Sequence, residues 1–235
     1  MRSSTPPLDE ALSPEHFAVR HLAAHGFEAT TATELADAMG MSRSTFFRRF
    51  GSKEGVIFAD HDRALSRLEH LLADTALPPS TVVARSTLEV MRVLVSDPGT
   101  ARLRWELLRQ NPSLRERELV ITHRYERVFA DFLARTAVPG TPRWVPVALA
   151  AGLVSVHNAA LRRWLRGSDP LALDSLEREL HELVASFGTW FGDADAPGDA
   201  SAGHFSRIVV AAFDASASPE EVLRALAERL GEATE

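Results

Sequence analysis

Cysteine is absent from the 235 residues. Its absence excludes disulfides, thiol nucleophiles and thiolate zinc sites, and fits a reducing compartment. Lysine is almost as scarce: Lys53 is the single one, so the positive charge of the chain is nearly all arginine. No stretch approaches the ~20 uninterrupted apolar residues of a membrane helix, and Met1 to Pro7 carry no apolar core of the signal-peptide kind. Residues 1–12 therefore read as a disordered leader, and the chain as cytoplasmic with no membrane partner. Catalytic signatures are missing too: there is no phosphate-cradling glycine loop, no Gly-x-Ser-x-Gly elbow and no His-Glu-x-x-His. His21 and His25 share a helix face without an evident third ligand, so they are expected to face solvent, and no metal or other cofactor is predicted. Paired carboxylates such as Glu116/Glu118 and Glu220/Glu221 fall in solvated helical contexts. An enzyme is not expected.

The formal charge of −6 argues at first against a polyanionic partner. Its distribution reverses that reading. Between Ser42 and Lys53 the charged residues are Arg43, Arg48, Arg49 and Lys53, with no acid among them, while acids dominate the remainder. That local patch suits nucleic acid.

Strands find almost no support, and the chain reads as all-α. A capping side chain followed by proline recurs at Ser13-Pro14, Asp97-Pro98, Asn111-Pro112, Thr141-Pro142 and Ser218-Pro219, each before a stretch of helical periodicity. Helices are predicted near 14–25, 32–39, 43–49, 53–74, 80–96, 98–109, 112–136, 142–166, 171–191, 202–214 and 219–230. Gly192 to Asp199 is rich in helix-ending residues and reads as a linker over 193–200, followed by a C-terminal helical appendage over 201–235.

The informative segment runs from Gly26 to Glu54. Thr31 can cap a short helix, with Glu34 three residues on to close a capping box and Leu35, Ala36 and Met39 as the apolar face. Gly40 ends that helix, Met41 fills the corner and Ser42 caps the next one. In the second helix Phe46 and Phe50 lie four apart on one face, leaving Arg43, Ser44, Thr45 and Arg48 on others. Recognition helices read bases from their N-terminal residues, and arginine suits guanine O6 and N7, which makes Arg43 the first candidate base reader. Ser44 and Thr45 are candidates for bases or phosphates, and Lys53, just after the Ser52 cap, for a phosphate. Arg49 is open between a salt bridge, solvent and phosphate, and Glu28 and Glu34 between capping and solvation. Taken alone, two helices around a glycine corner also fit a structural αα-hairpin.

Over about residues 17–54 the chain resembles the DNA-binding head of the TetR family of transcriptional regulators. The residues carrying the resemblance are Gly26-Phe27 after an Ala18/Leu22 helix, Thr30-Thr31, Leu35-Ala36, Gly40-Met41-Ser42, Thr45-Phe46-Phe47, Phe50 and Ser52-Lys53-Glu54. One departure stands out: Phe47 occupies the place of a tyrosine that contacts a phosphate in that family, so the hydroxyl bond is lost and packing against the sugar is left. The resemblance implies a three-helix DNA-binding head over 13–55, with Thr31, Ser42, Arg43, Ser44, Thr45, Phe47, Arg48 and Lys53 at the DNA. A helical ligand-binding and dimerisation body over 56–192 follows. It also implies a homodimer on a near-palindromic operator of double-stranded DNA, released by a small-molecule effector. A ligand-independent DNA-binding or protein-interaction factor on the same fold is the alternative.

Beyond residue 55 the resemblance is architectural. It would pair helices 142–166 and 171–191 with their copies in a second subunit, and Val147 to Val154, apolar nearly all round, must be buried. Leu180, Val184, Phe187 and Trp190 are expected to add a stripe. Effector-pocket candidates are Met91, Trp105, Leu108, Tyr125, Phe129, Phe132, His157, Asn158, Leu161 and Trp164, each with core packing as its other role. His157 and Asn158 draw most interest, because polar groups in so apolar a helix need partners.

Overall fold

A computed structural model describes residues 13–73, 77–167 and 172–192. The predicted leader, the linker over 193–200, the appendage with helices 202–214 and 219–230, and the Ser218 cap lie outside the described residues. The described residues are helical without strands, and all fall within one unit of contacts, residues 1–196.

Three short helices build the head: α1 (Pro14–His25), α2 (Ala32–Ala38) and α3 (Arg43–Phe50), closed by α4 (Lys53–Ile57). Ser13 accepts from the His16 N–H to start α1, with Pro14 at its first position, as the sequence predicts. Ala18, Val19, Leu22, Leu35, Ala36 and Phe46 form the head core and are fully buried. At the α3–α4 corner Gly55 has no substitute, because a Cβ there would overlap the carbonyl oxygen of Phe50.

The body comprises α5 (Ala59–Leu72), α6 (Pro79–Leu94), α7 (Pro98–Gln110), α8 (Pro112–Thr136), α9 (Trp144–Leu165) and α10 (Ala172–Ala185), with a 3₁₀ turn over Gly188–Trp190. The predicted helix 53–74 is two helices broken at Phe58. In a continuous helix the Ile57 carbonyl would accept from the His61 N–H. Instead it accepts from Arg104 Nε at 2.8 Å, and the His61 N–H turns to the Phe58 carbonyl at 2.9 Å.

Two predicted caps fail. Asn111 sends its amide back to the Leu107 carbonyl at 2.7 Å, so it serves the end of α7 rather than the start of α8. Thr141 donates to the Val138 carbonyl at 2.7 Å and belongs to the turn before α9, which begins two residues after Pro142. Asp97 does cap α7, accepting from the Thr100 N–H at 3.0 Å.

Helix α9 lies at the centre of the body, packed on α6, α7, α8 and α10. Contrary to the sequence expectation, it is long and apolar enough to cross a bilayer by length and mean hydropathy, 1.5. Val145, Leu149, Leu153, Val154 and Ala160 on it are buried against its neighbours, which identifies it as a core helix of the bundle. Gly152 brings α10 close, since a Cβ there would meet Leu183 at 3.2 Å. The expected dimer stripe of Leu180, Val184 and Phe187 is a correction: these three are buried within the subunit, and α10 ends before Phe187.

Candidate nucleic-acid interface and internal cavity

The head forms the two-helix corner anticipated from the sequence. Thr31 Oγ1 accepts from the Glu34 N–H at 3.2 Å while Glu34 Oε2 accepts from the Thr31 N–H at 2.8 Å, a complete capping box. Gly40 takes φ +65°, and the N–H groups of Gly40 and Met41 donate to the carbonyls of Asp37 and Ala36, a Schellman ending that turns the chain into α3. Ser42 Oγ then accepts from the Thr45 N–H at 3.2 Å. Both caps thus fix the angle between the helices, and the hydroxyls of Thr31 and Ser42 are engaged in doing so.

Phe46 is buried, and Phe50 packs on it at 5.4 Å between centroids. The opposite face of α3 presents Arg43, Ser44 and Arg48 to solvent, with Thr45 half-buried beside them. Phe47 is 39% exposed, with the Arg43 guanidinium 5.7 Å from its ring centroid. Among the described residues neither Arg43 nor Arg48 has an acidic partner, whereas Arg49 is bound to Glu15 at 2.6 Å. The open reading of Arg49 thereby resolves to a salt bridge within the head.

Lys53 has a task the sequence did not suggest. Its ammonium donates to the carbonyls of Phe27 at 2.7 Å and Thr30 at 3.2 Å, and lies 4.2 Å from the Phe27 ring centroid. It ties the loop after α1 to the start of α4.

The second feature is a cavity among α5, α6, α7, α8 and α9, with about 790 Å³ of empty space, solvent at its mouth included. Trp105, Leu108, Tyr125, Phe129, His157, Asn158 and Leu161 line it, as the sequence reading proposed. Met91, Phe132 and Trp164 do not. Met91 is buried in the core while its neighbours Val90 and Leu94 reach the cavity, Phe132 is buried elsewhere, and Trp164 lies under the Arg102 guanidinium at 5.0 Å.

Sequence reasoning missed His61 and Arg104, which also line the cavity. Arg104 is buried, ion-paired with Asp60 at the start of α5 and bonded to the last carbonyl of α4. Arg63 pairs with the same Asp60 carboxylate. Tyr125 donates its O–H to the His61 carbonyl at 3.2 Å. Burial, and then the Arg104 charge nearby, lowers the His61 pKa to about 3; burial lowers that of His157 to about 4. Both rings are neutral at physiological pH. A second link joins head to body: Asp97, at the start of α7, pairs with His16 and Arg20 of α1 at 3.3 Å each. Against the burial that would raise it, hydrogen bonds from Thr100, the neighbouring His16 and a hydrogen bond from Arg20 hold the Asp97 pKa down at about 2.

Two family models match the chain: residues 16–59 match the bacterial regulatory proteins of the tetR family, and residues 77–188 match the MftR C-terminal domain. Among curated relatives, MftR of Mycobacterium tuberculosis, named for a transcriptional regulator of mycofactocin biosynthesis, is 27% identical over 159 residues, 66% of this chain and 80% of its own. The HTH-type transcriptional repressor AcnR of Corynebacterium diphtheriae is 29% identical over 171 residues, 68% of this chain and 82% of its own. Of solved structures, NalD, the secondary repressor of the MexAB-OprM multidrug efflux pump in Pseudomonas aeruginosa, superposes with a TM-score of 0.51 at 18% identity, covering 77% of this chain and 97% of NalD. At that identity it shows the shared fold. The chain belongs to the TetR family of transcriptional regulators. It is a sequence-specific DNA-binding regulator with an N-terminal helix-turn-helix.

Proposed function

We propose that the protein is a cytoplasmic homodimeric repressor whose head, residues 13–55, holds a near-palindromic operator until a small molecule enters the body, residues 56–192. The observation that carries the reading is Arg104: one guanidinium lines the cavity and holds the last carbonyl of α4. A guest that shifts Arg104 acts on the helix that closes the head. It lowers DNA affinity by the difference in its own affinity for the two arrangements, and by no more.

In this reading Arg43, Ser44 and Thr45 face base edges and adjoining phosphates, and Arg48 and Phe47 meet the backbone. Thr31 and Ser42 present the helix N-termini to phosphates. Lys53 supports the head from within. Two recognition helices must reach successive major-groove faces about one turn apart, which requires a twofold dimer. The outward side of α9 offers it a surface: Trp144 is 60% and Val147 59% exposed, one turn apart.

The test is selection of binding sites from random duplexes at near-physiological salt, followed by small-molecule release of the enriched site. Enrichment of one near-palindrome, released by a compound from the wild type but not from Arg104→Met, supports the proposal. A site bound equally with and without every cavity-binding compound points to the ligand-independent factor.

A further inference from the structure

Among the described residues, one buried polar atom of a cavity-lining side chain has nothing to bond. His157, on α9, is 6% exposed, and its Nδ1 lies 3.2 Å from Asn158 Oδ1. An amide oxygen has no proton, so Nδ1 supplies it, and the neutral ring is left with Nε2 as an acceptor. Nε2 is buried and has no hydrogen-bond partner, an unfavourable state in an apolar surrounding.

Three other polar side chains of the wall are already engaged. Thr87 donates to the Val83 carbonyl at 2.7 Å, Tyr125 donates to the His61 carbonyl, and Arg104 is held by Asp60 and Ile57. Among the described residues no buried cation of the lining is left for an anion, and the Glu118 carboxyl lies in the lining, where burial raises its pKa. A cationic guest would place its charge among Trp105, Phe129 and Leu161, where charge is costly.

We propose that the cavity takes an uncharged, mainly apolar molecule bearing a hydroxyl, whose O–H donates to His157 Nε2. This rests on the reading of the cavity as the effector site and adds the chemistry of the effector.

Four naphthalenes of one shape test it: 2-naphthol, 2-methoxynaphthalene, 2-naphthoate and 2-naphthylmethylammonium. Equilibrium dialysis against the full chain, without DNA, should show the naphthol binding on the order of tenfold tighter than each of the others. In His157→Phe the naphthol advantage over the methoxy compound should fall to about twofold or less, with the methoxy compound still bound. The proposal is overturned if the naphthoate or the ammonium binds as tightly as the naphthol, if the advantage survives in His157→Phe, or if none of the four binds. Should the variant not fold, the wild-type ratios decide alone. Adding operator separates this proposal from the one beneath it. A naphthol that binds through His157 yet leaves the operator occupied upholds the chemistry and sinks the release reading, whereas release by the naphthoate alone does the reverse.

Discussion

Arginine serves opposite ends in the head and in the body. On α3, Arg43 and Arg48 stand in solvent with no acid facing them among the described residues, so their charge is available to a polyanion. In the body, Arg104 is buried, and its charge is closed by Asp60 and a backbone carbonyl, so it shapes a cavity without offering that charge to a guest. The contrast teaches that the surroundings of an arginine, rather than its identity, decide whether it recognises a ligand or holds a fold.

The largest expected effect comes from removing the closure. Asp60→Ala leaves Arg104 with no carboxylate in a buried site and should lower stability by about 3–5 kcal/mol in urea unfolding. A loss below about 1 kcal/mol would mean that water reaches the guanidinium, and the contrast with α3 would collapse. Next comes Arg43→Ala, which should leave stability unchanged but cost about 1–3 kcal/mol of discrimination at one base position, read by repeating the site selection. An unaltered preference would place the reading surface elsewhere.

Lys53 sharpens the comparison, being a cation of the head that is nonetheless engaged internally. Lys53→Met should destabilise the head by about 1–2 kcal/mol while leaving the salt dependence of DNA binding as it was; Arg48→Ala should reduce that slope by about one charge. A slope that also falls with Lys53→Met would put its ammonium on a phosphate. The smallest effect is one of pH. His157 has a folded pKa of about 4, below its ordinary 6.5, so the unfolded chain binds more protons as pH falls below 6.5. The stability associated with the neutral ring is complete above that value and is lost as pH drops toward 4. Between pH 7 and 5.5 His157 should contribute a loss of about 1 kcal/mol and His61, with its pKa of about 3, about as much again, so His157→Phe should remove about half of the dependence. An identical profile in the variant would assign the dependence to His61 or another group.

The head was legible because its signals are local. Capping pairs, a glycine corner and phenylalanines four apart act within a turn or two, and their spacing is visible in the chain. The roles of Lys53 and Arg49 were not, since their partners at Phe27, Thr30 and Glu15 lie across the head and any cation in that patch looks free. In the body the same limit is larger. The break at Phe58 is made by Arg104, forty-seven positions from the carbonyl it takes. The aromatic candidates Trp105, Tyr125 and Phe129 were found by residue type. Met91 failed because Val90 and Leu94, on a neighbouring face of α6, point to the cavity instead. Asn111-Pro112 looks like any other cap and proline, but the side chain of Asn111 turns back to α7. Proline marks where a helix begins; it does not say which end its neighbour serves.

The missing methyl group at Gly55 has a consequence for genetics. A single base change from a glycine to an alanine codon alters no reading side chain and no wall of the cavity. It sets a Cβ against the Phe50 carbonyl and drives α3 and α4 apart, so the recognition helix no longer points where its arginines need to be. A screen for derepressed mutants should recover this allele alongside those in α3, although an inventory of contacts would pass over it as silent.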